Sequence, residues 1–325
     1  MLFSALYSAL RLVIELIKLQ TRDTNALEVG ILVFAADHGV SRHSVSLYPA
    51  RVGAQVAEAA ARGETAIGVL ARALGAELVV ADVGLTGASR SGVADHRVAA
   101  GSADITLGPA LTNDELRAGI GAGHALAVAL AERNDVIVLG EIGIGNTTVA
   151  TALLAALTGL STEAVCGRGT GLDAQGLERK RATVAAALRA NSVNRADPLE
   201  CLRRLGGHEF AALVGAMLAA AASGRLILLD GFATGVAALV ACRLQPALRD
   251  YLIAGHRSAE PAHAQVLTEL GLEALLDLRL RLGEGSGAAL ALPLIGLAAR
   301  LHAEMGRFDE TGVERDSPSR GATGS

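Results

Sequence analysis

Near the carboxyl end, Leu282-Gly283-Glu284-Gly285-Ser286-Gly287 sets one carboxylate between two glycines, just ahead of the apolar helical run Ala288–Leu301. A carboxylate with bare neighbours can approach a ligand unscreened, and apolar surroundings move it toward the range where it accepts a proton at neutral pH. Glu284 is therefore a candidate general base. Read alone, the segment fits a surface turn equally well.

A second segment runs Leu139-Gly140-Glu141-Ile142-Gly143-Ile144-Gly145-Asn146-Thr147-Thr148, directly after the apolar run Val136–Leu139. A strand, a glycine-rich turn and a helix opening on Asn-Thr-Thr aim backbone N–H groups at one point, which suits phosphate or another anion. Gly143, Gly145, Asn146 and Thr147 are the candidate binding positions. The spacing is neither that of a Walker A loop nor the Gly-x-Gly-x-x-Gly of dinucleotide sites. The plainer alternative is a tight turn without a ligand.

A third turn, Gly167-Arg168-Gly169-Thr170-Gly171, precedes Asp173 and a helix carrying Lys180 and Arg181. Glycines, a hydroxyl and nearby cations suit a sugar and its phosphate, although Lys180 taken alone reads as a solvated charge. Asp230-Gly231-Phe232 closes another apolar run, where Asp230 would accept from a ribose hydroxyl or hold a helix end. His256-Arg257-Ser258-Ala259-Glu260-Pro261 follows the run Tyr251–Ala254 and reads as a loop capping the next helix or as part of the site. Asp37-His38-Gly39 ends the first run. The histidines lack zinc-ligand spacing, so a structural or supporting role is preferred there and no metal is expected.

Five short apolar runs must hold these turns: Ile31–Ala35, Leu78–Asp82, Val136–Leu139, Leu226–Asp230 and Tyr251–Ala254. Continuous apolar runs alternating with helical patterns argue for an α/β fold, a mostly parallel, Rossmann-like sheet flanked by helices. Thr112 with Glu115 forms a capping box, and Asp197-Pro198 with Gly206-Gly207 brackets a further helix. From Gly271 the pattern reads as helical through Arg307. Residues 28–270 are expected to form the core, 1–27 and 271–313 a small helical subdomain, and 314–325 a disordered tail.

Aromatic residues make up only 2% of the 325-residue chain and Trp is absent, so the core must be built of small aliphatics. The net charge of −4 is spread along the chain, and no basic groove for nucleic acid stands out. Three scattered cysteines, Cys166, Cys201 and Cys242, fit thiols in a reducing cytoplasm better than a disulfide framework. Arg11, Glu15 and Lys18 interrupt the apolar start at helical spacing, so an amphipathic helix is expected there and no membrane span.

Seven segments, VFAADHGV, VSLYPARVGAQV, GEIGIGNTT, GRGTGLDAQGLERKR, DGFATGVAAL, HRSAEP and LRLGEGSGAALALPL, run in order from Ile31 to about Val313. Together they resemble the nicotinate-nucleotide–dimethylbenzimidazole phosphoribosyltransferase family. The resemblance implies transfer of phosphoribosyl from nicotinate mononucleotide to 5,6-dimethylbenzimidazole in cobalamin assembly, with inversion at the anomeric carbon and without metal or cofactor. It implies Glu284 as general base and Glu141 as a partner near the aromatic base. Lys180 would lie near the nucleotide, Ser46 and Gln55 in the base pocket, and Asp230 and Ser258 near ribose and phosphate. A homodimer is expected. Where the family carries a Pro-x-Gly-Ser-Leu-Gly turn this chain has Ser4-Ala5-Leu6-Tyr7, which implies altered packing of the small domain.

Two alternatives lie close by. The same transfer to adenine or a phenol would keep Glu284 and change the pocket lining. A non-catalytic homologue supporting a partner subunit is disfavoured by the intact Glu284, Glu141 and Lys180. A Rossmann-type oxidoreductase is disfavoured by the missing dinucleotide fingerprint.

Overall fold

The structure, a computed structural model, describes residues 27–169 and 171–305. The expected amphipathic helix at the N-terminus, Ser4–Tyr7 and the tail 314–325 lie outside the described residues.

The five apolar runs all form strands. They are β1 (Val29–Ala36), β2 (Glu77–Gly84), β4 (Val136–Ile142), β5 (Leu226–Leu229) and β6 (Leu252–His256). Two short strands extend the sheet at its edges, β3 (Ala94–Asp95) and β7 (Ala274–Leu276). The order is β3-β2-β1-β4-β5-β6-β7, and every pairing is parallel. From β1 the chain winds outward first one way and then the other, so β1 and β4 flank the switch point. In open α/β sheets ligands gather in the crevice beyond the strand ends at that point.

Helices cover both faces, which is why the central strands are apolar on both sides. On one face pack α1 (Arg51–Ala61), α2 (Ala66–Leu74) and α11 (Ser286–Glu304), through Ala57, Ile67, Ala289 and Ile295 among others. The other face carries α3 (Asn113–Ala131), α4 (Asn146–Thr158), the short α5 (Thr162–Val165) and α6 (Ala174–Ala190). With them lie α7 (Pro198–Leu205), α8 (His208–Ala222), α9 (Phe232–Leu244) and α10 (His263–Leu270). Both helix-start signals read from the sequence are present. Thr112 and Glu115 form the capping box of α3, and Asp197 caps α7 by accepting from the Glu200 N–H at 3.0 Å.

The expectation of continuous helix from Gly271 is not met over its first part. Ala274–Leu276 pairs with β6 instead, and the extended chain runs on beside the β6 loop: Arg257 N–H donates to Leu276 O at 2.7 Å and Ala259 N–H to Leu280 O at 2.9 Å. The leucines at 276, 278, 280 and 282 alternate with polar residues, a period of two that suits extended backbone. Helix begins only at Ser286, and α11 seals the same sheet rather than standing apart from it. This detour carries Glu284 to the end of β4.

Candidate active site

A cleft of about 370 Å³ opens beyond the strand ends at the switch point. Of the residues singled out in the sequence, Glu141, Gly143, Asn146, Thr147, Gly169, Asp230, Ser258 and Glu284 line it.

Glu284 reaches the cleft through an unusual turn. Gly283, Glu284 and Gly285 all have positive φ, at 84°, 65° and 86°. A non-glycine residue in that region costs free energy and persists where its surroundings hold it there. Three contacts do so. The Glu284 N–H donates to Glu141 O at 3.1 Å, and Gly140 on β4 leaves room for the turn. A Cβ at Gly140 would stand 2.4 Å from the Glu284 carbonyl carbon. The third contact is Asp230: its Oδ2 accepts from Gly285 N–H at 3.1 Å, while its Oδ1 accepts from Gly287 N–H at 2.8 Å and Ala288 N–H at 3.0 Å. Asp230 therefore holds the start of α11, the second of the two roles its sequence context left open. A carboxylate on exposed N–H groups at a helix start is electrostatically favoured.

The Glu284 side chain is 5% exposed, and Ile67 N–H lies 3.5 Å from its Oε2. Burial raises its pKa above the usual carboxylate range, with Thr65 and Ile67 N–H pulling the other way. Glu141, 8% exposed, sits at the end of β4 and accepts from the Asn146 side-chain amide. Burial above all, then the Asp230, Glu209 and Glu284 carboxylates, push it well above the usual range, against the Asn146 hydrogen bond. The cleft thus presents two buried carboxyl groups biased toward accepting or holding protons.

The glycine turns line the same cleft. Gly145, at φ 97°, ends the β4 turn and starts α4, so that Thr147 faces the cleft. Lys180 on α6 is fully buried, and its Nζ donates to Thr147 Oγ1 at 2.9 Å. Burial lowers its pKa, opposed by the charge of Glu260. Lys180 is thus a buried cation just behind the Thr147–Gly169 wall, and not the solvated charge that was its alternative. Gly169 and Gly171 take positive φ, and Asp173 caps α6 by accepting from Gly176 N–H at 2.7 Å. Thr170 lies outside the described residues.

Ser258 borders the cleft, its Oγ accepting from Glu260 N–H at 3.2 Å and its N–H donating to His263 Nδ1 at 2.9 Å. Ser46 and Gln55 do not line the cleft. Ser46 Oγ accepts from Tyr48 N–H at 3.2 Å, and Gln55 is exposed on α1, whose Val52, Gly53 and Val56 face inward instead.

Arg281 and Tyr48, to which the sequence assigned no role, also line the cleft, as do His256 and Glu260 of the His256–Pro261 segment. Arg281 stands exposed at the mouth, near Gly171. It sits three residues before Glu284 inside the segment already quoted, which was the available signal. Tyr48 likewise lies inside a quoted segment, VSLYPARVGAQV, between Ser46 and Gln55.

Known proteins similar to this chain in sequence and fold belong to one family. A family model described as phosphoribosyltransferase matches residues 6–313. The chain is 47% identical to the nicotinate-nucleotide–dimethylbenzimidazole phosphoribosyltransferase of Desulforudis audaxviator over 88% of this chain and 82% of that protein. It is also 47% identical to the Pseudomonas aeruginosa protein of that name, over 94% of this chain and 88% of the relative. The crystal structure of CobT from Thermus thermophilus superposes with a TM-score of 0.89 at 42% identity, covering 96% of this chain and 94% of that one. By sequence and by fold, the chain belongs to the nicotinate-nucleotide–dimethylbenzimidazole phosphoribosyltransferase family.

Proposed function

We propose that the protein transfers the phosphoribosyl group of nicotinate mononucleotide to 5,6-dimethylbenzimidazole, giving α-ribazole 5′-phosphate and nicotinate. Family membership supports the reaction class, and one observation carries the mechanism: the buried Glu284 carboxyl, held by a strained turn, lines one cleft together with the glycine turns. One benzimidazole nitrogen attacks C1′ of the ribose as the bond from C1′ to the pyridinium nitrogen breaks. The bonding electrons return to the ring, which leaves as nicotinate. Glu284 takes the proton from the other benzimidazole nitrogen, so the product leaves neutral at the new bond. Orientation of the two reactants and removal of one proton each contribute several kcal/mol by themselves.

Glu141 and its Asn146 partner stand beside the acceptor base. The Gly143–Thr147 and Gly169–Gly171 turns, backed by Lys180, take the phosphate and ribose, with Arg281 at the mouth and Ser258 on the far rim. Asp230 serves by holding Glu284 in place. Ser46 and Gln55 rest on the resemblance alone. Incubation of the purified protein with nicotinate mononucleotide and a panel of bases, read by product mass, tests the reading. α-Ribazole phosphate is the expected product; no product with any base contradicts it.

We further infer a cytoplasmic homodimer. All three cysteines are free thiols, and no helix among the described residues is long and apolar enough to cross a membrane. Leu290, Leu294, Leu297 and Leu301 form a stripe along α11, between 38% and 57% exposed, that a second copy would cover. Light scattering at the monomer mass, or recovery of the protein in a membrane or secreted fraction, would contradict these two inferences.

A further inference from the structure

Three carboxyl groups of the cleft are already engaged by the protein. Asp230 accepts from three N–H groups at the start of α11, Glu141 from the Asn146 amide, and Glu284 from Ile67 N–H. Glu260 is the fourth that lines it, and it is only 6% exposed. No hydrogen bond or ion pair reaches its carboxyl group from the described residues. A buried polar group left without a partner is costly, which points to a donor on whatever molecule fills the cleft.

The backbone fixes where this acceptor stands. Ser258 Oγ accepts from Glu260 N–H at 3.2 Å, and Glu260 O accepts from His263 N–H at 2.9 Å, so the residue is pinned on both sides between β6 and α10. Its carboxyl end lies over Gly167. A Cβ there would fall 2.1 Å from Oε2 and 2.9 Å from the carboxyl carbon, so the bare glycine makes room for it. Gly167 opens the turn whose Gly169 lines the same cleft. The free acceptor therefore stands beside the turn that takes the sugar and its phosphate.

We propose that Glu260 is a specificity-determining residue of the transfer, its carboxyl group accepting hydrogen bonds from the 2′- and 3′-hydroxyls of the donor's ribose. The donor groups on nicotinate mononucleotide lead to this. Its phosphate and its nicotinate carboxylate are acceptors at neutral pH, and its pyridinium ring carries no N–H. The incoming benzimidazole has one N–H, and that proton goes to Glu284. The two ring hydroxyls remain, adjacent on the sugar and matched to the two oxygens of one carboxyl group. Asp230 offered the same chemistry in the sequence, but its oxygens are taken at the start of α11. A sugar lacking the hydroxyls leaves Glu260 unpaired, and a site built in this way rejects it.

The inference rests on nicotinate mononucleotide being the phosphoribosyl donor. Its test is calorimetric binding of nicotinate mononucleotide and its 2′,3′-dideoxy analogue, without acceptor base, to the wild type and to Glu260→Ala. The wild type is expected to bind the parent roughly tenfold or more tightly than the analogue. Glu260→Ala should weaken the parent by about that factor and leave the analogue within about twofold, so that the ratio falls toward one. Glu260→Gln keeps the shape and one accepting oxygen, and its ratio should lie between the two; should Glu260→Ala fail to fold, this variant decides. Equal binding of both ligands by the wild type, an equal loss of both in Glu260→Ala, or a full wild-type ratio in Glu260→Gln overturns the proposal. A wild type that discriminates yet forms no product with any base keeps the inference and sinks the assigned transfer. One that binds neither ligand sinks both.

Discussion

Glu284 donates its backbone N–H to the carbonyl oxygen of Glu141 at 3.1 Å, which ties the two acids of the cleft to one another through the main chain. One comes from the end of a central strand and the other from the turn before the last helix. Their separation is thus set by backbone contacts and not by flexible side chains, the kind of support a reacting constellation needs.

The close approach at Gly140 gives the first prediction. In Gly140→Ala the new methyl group meets the Glu284 carbonyl carbon at 2.4 Å and must push the turn away from β4. Overpacking of this kind costs about 1–3 kcal/mol, so the variant should fold with a lower melting temperature. Its turnover should drop more than its substrate affinity. Wild-type turnover in a folded Gly140→Ala would mean that the contact does not position Glu284.

Asp230 collects three N–H groups of the α11 start. Asp230→Asn replaces one accepting oxygen with an N–H donor facing those same groups, a loss of about 1–3 kcal/mol. Chemical denaturation should register it, and turnover should fall with it because the Glu284 turn loosens.

Much of this was readable from residue order. The central strands declared themselves as uninterrupted apolar runs, and the glycine turns declared the strand ends where a ligand would lie. Strands β3 and β7 were too short to leave a pattern, and the leucines of Ala274–Leu282 resembled a helical stripe until pairing with β6 showed their period of two. The role of Asp230 was undecidable in one dimension, because its partners are 55 to 58 residues away.

His263 predicts acid lability. Burial first, then the charges of His256 and Arg257, pushes its pKa down from 6.5 to about 3, which suits its Nδ1 accepting from Ser258 N–H. Below about pH 6.5 the unfolded chain therefore binds a proton that the native protein refuses until about pH 3. Stability should decline across that window as pH falls, by up to about 1.4 kcal/mol per pH unit from this group. Urea unfolding of His263→Gln should give a flatter dependence than wild type; parallel curves would remove His263 as the cause.

Glu141 has the opposite sign. With its pKa raised in the native state, the folded protein holds a proton that the unfolded chain gives up, so stability falls as pH rises through and above the ordinary carboxylate range. Glu141→Gln should therefore stabilise the protein at pH 8 relative to wild type and have less effect near pH 4. Thermal melts at the two pH values check it, and equal shifts at both would count against a raised Glu141.

Glu284 is the one group that takes a proton in the proposed transfer. Glu284→Gln should leave the melting temperature and the affinity for nicotinate mononucleotide close to wild type. Its rate of α-ribazole phosphate formation, measured by product mass, should fall by roughly two orders of magnitude or more. A folded Glu284→Gln that turns over at the wild-type rate would contradict the account.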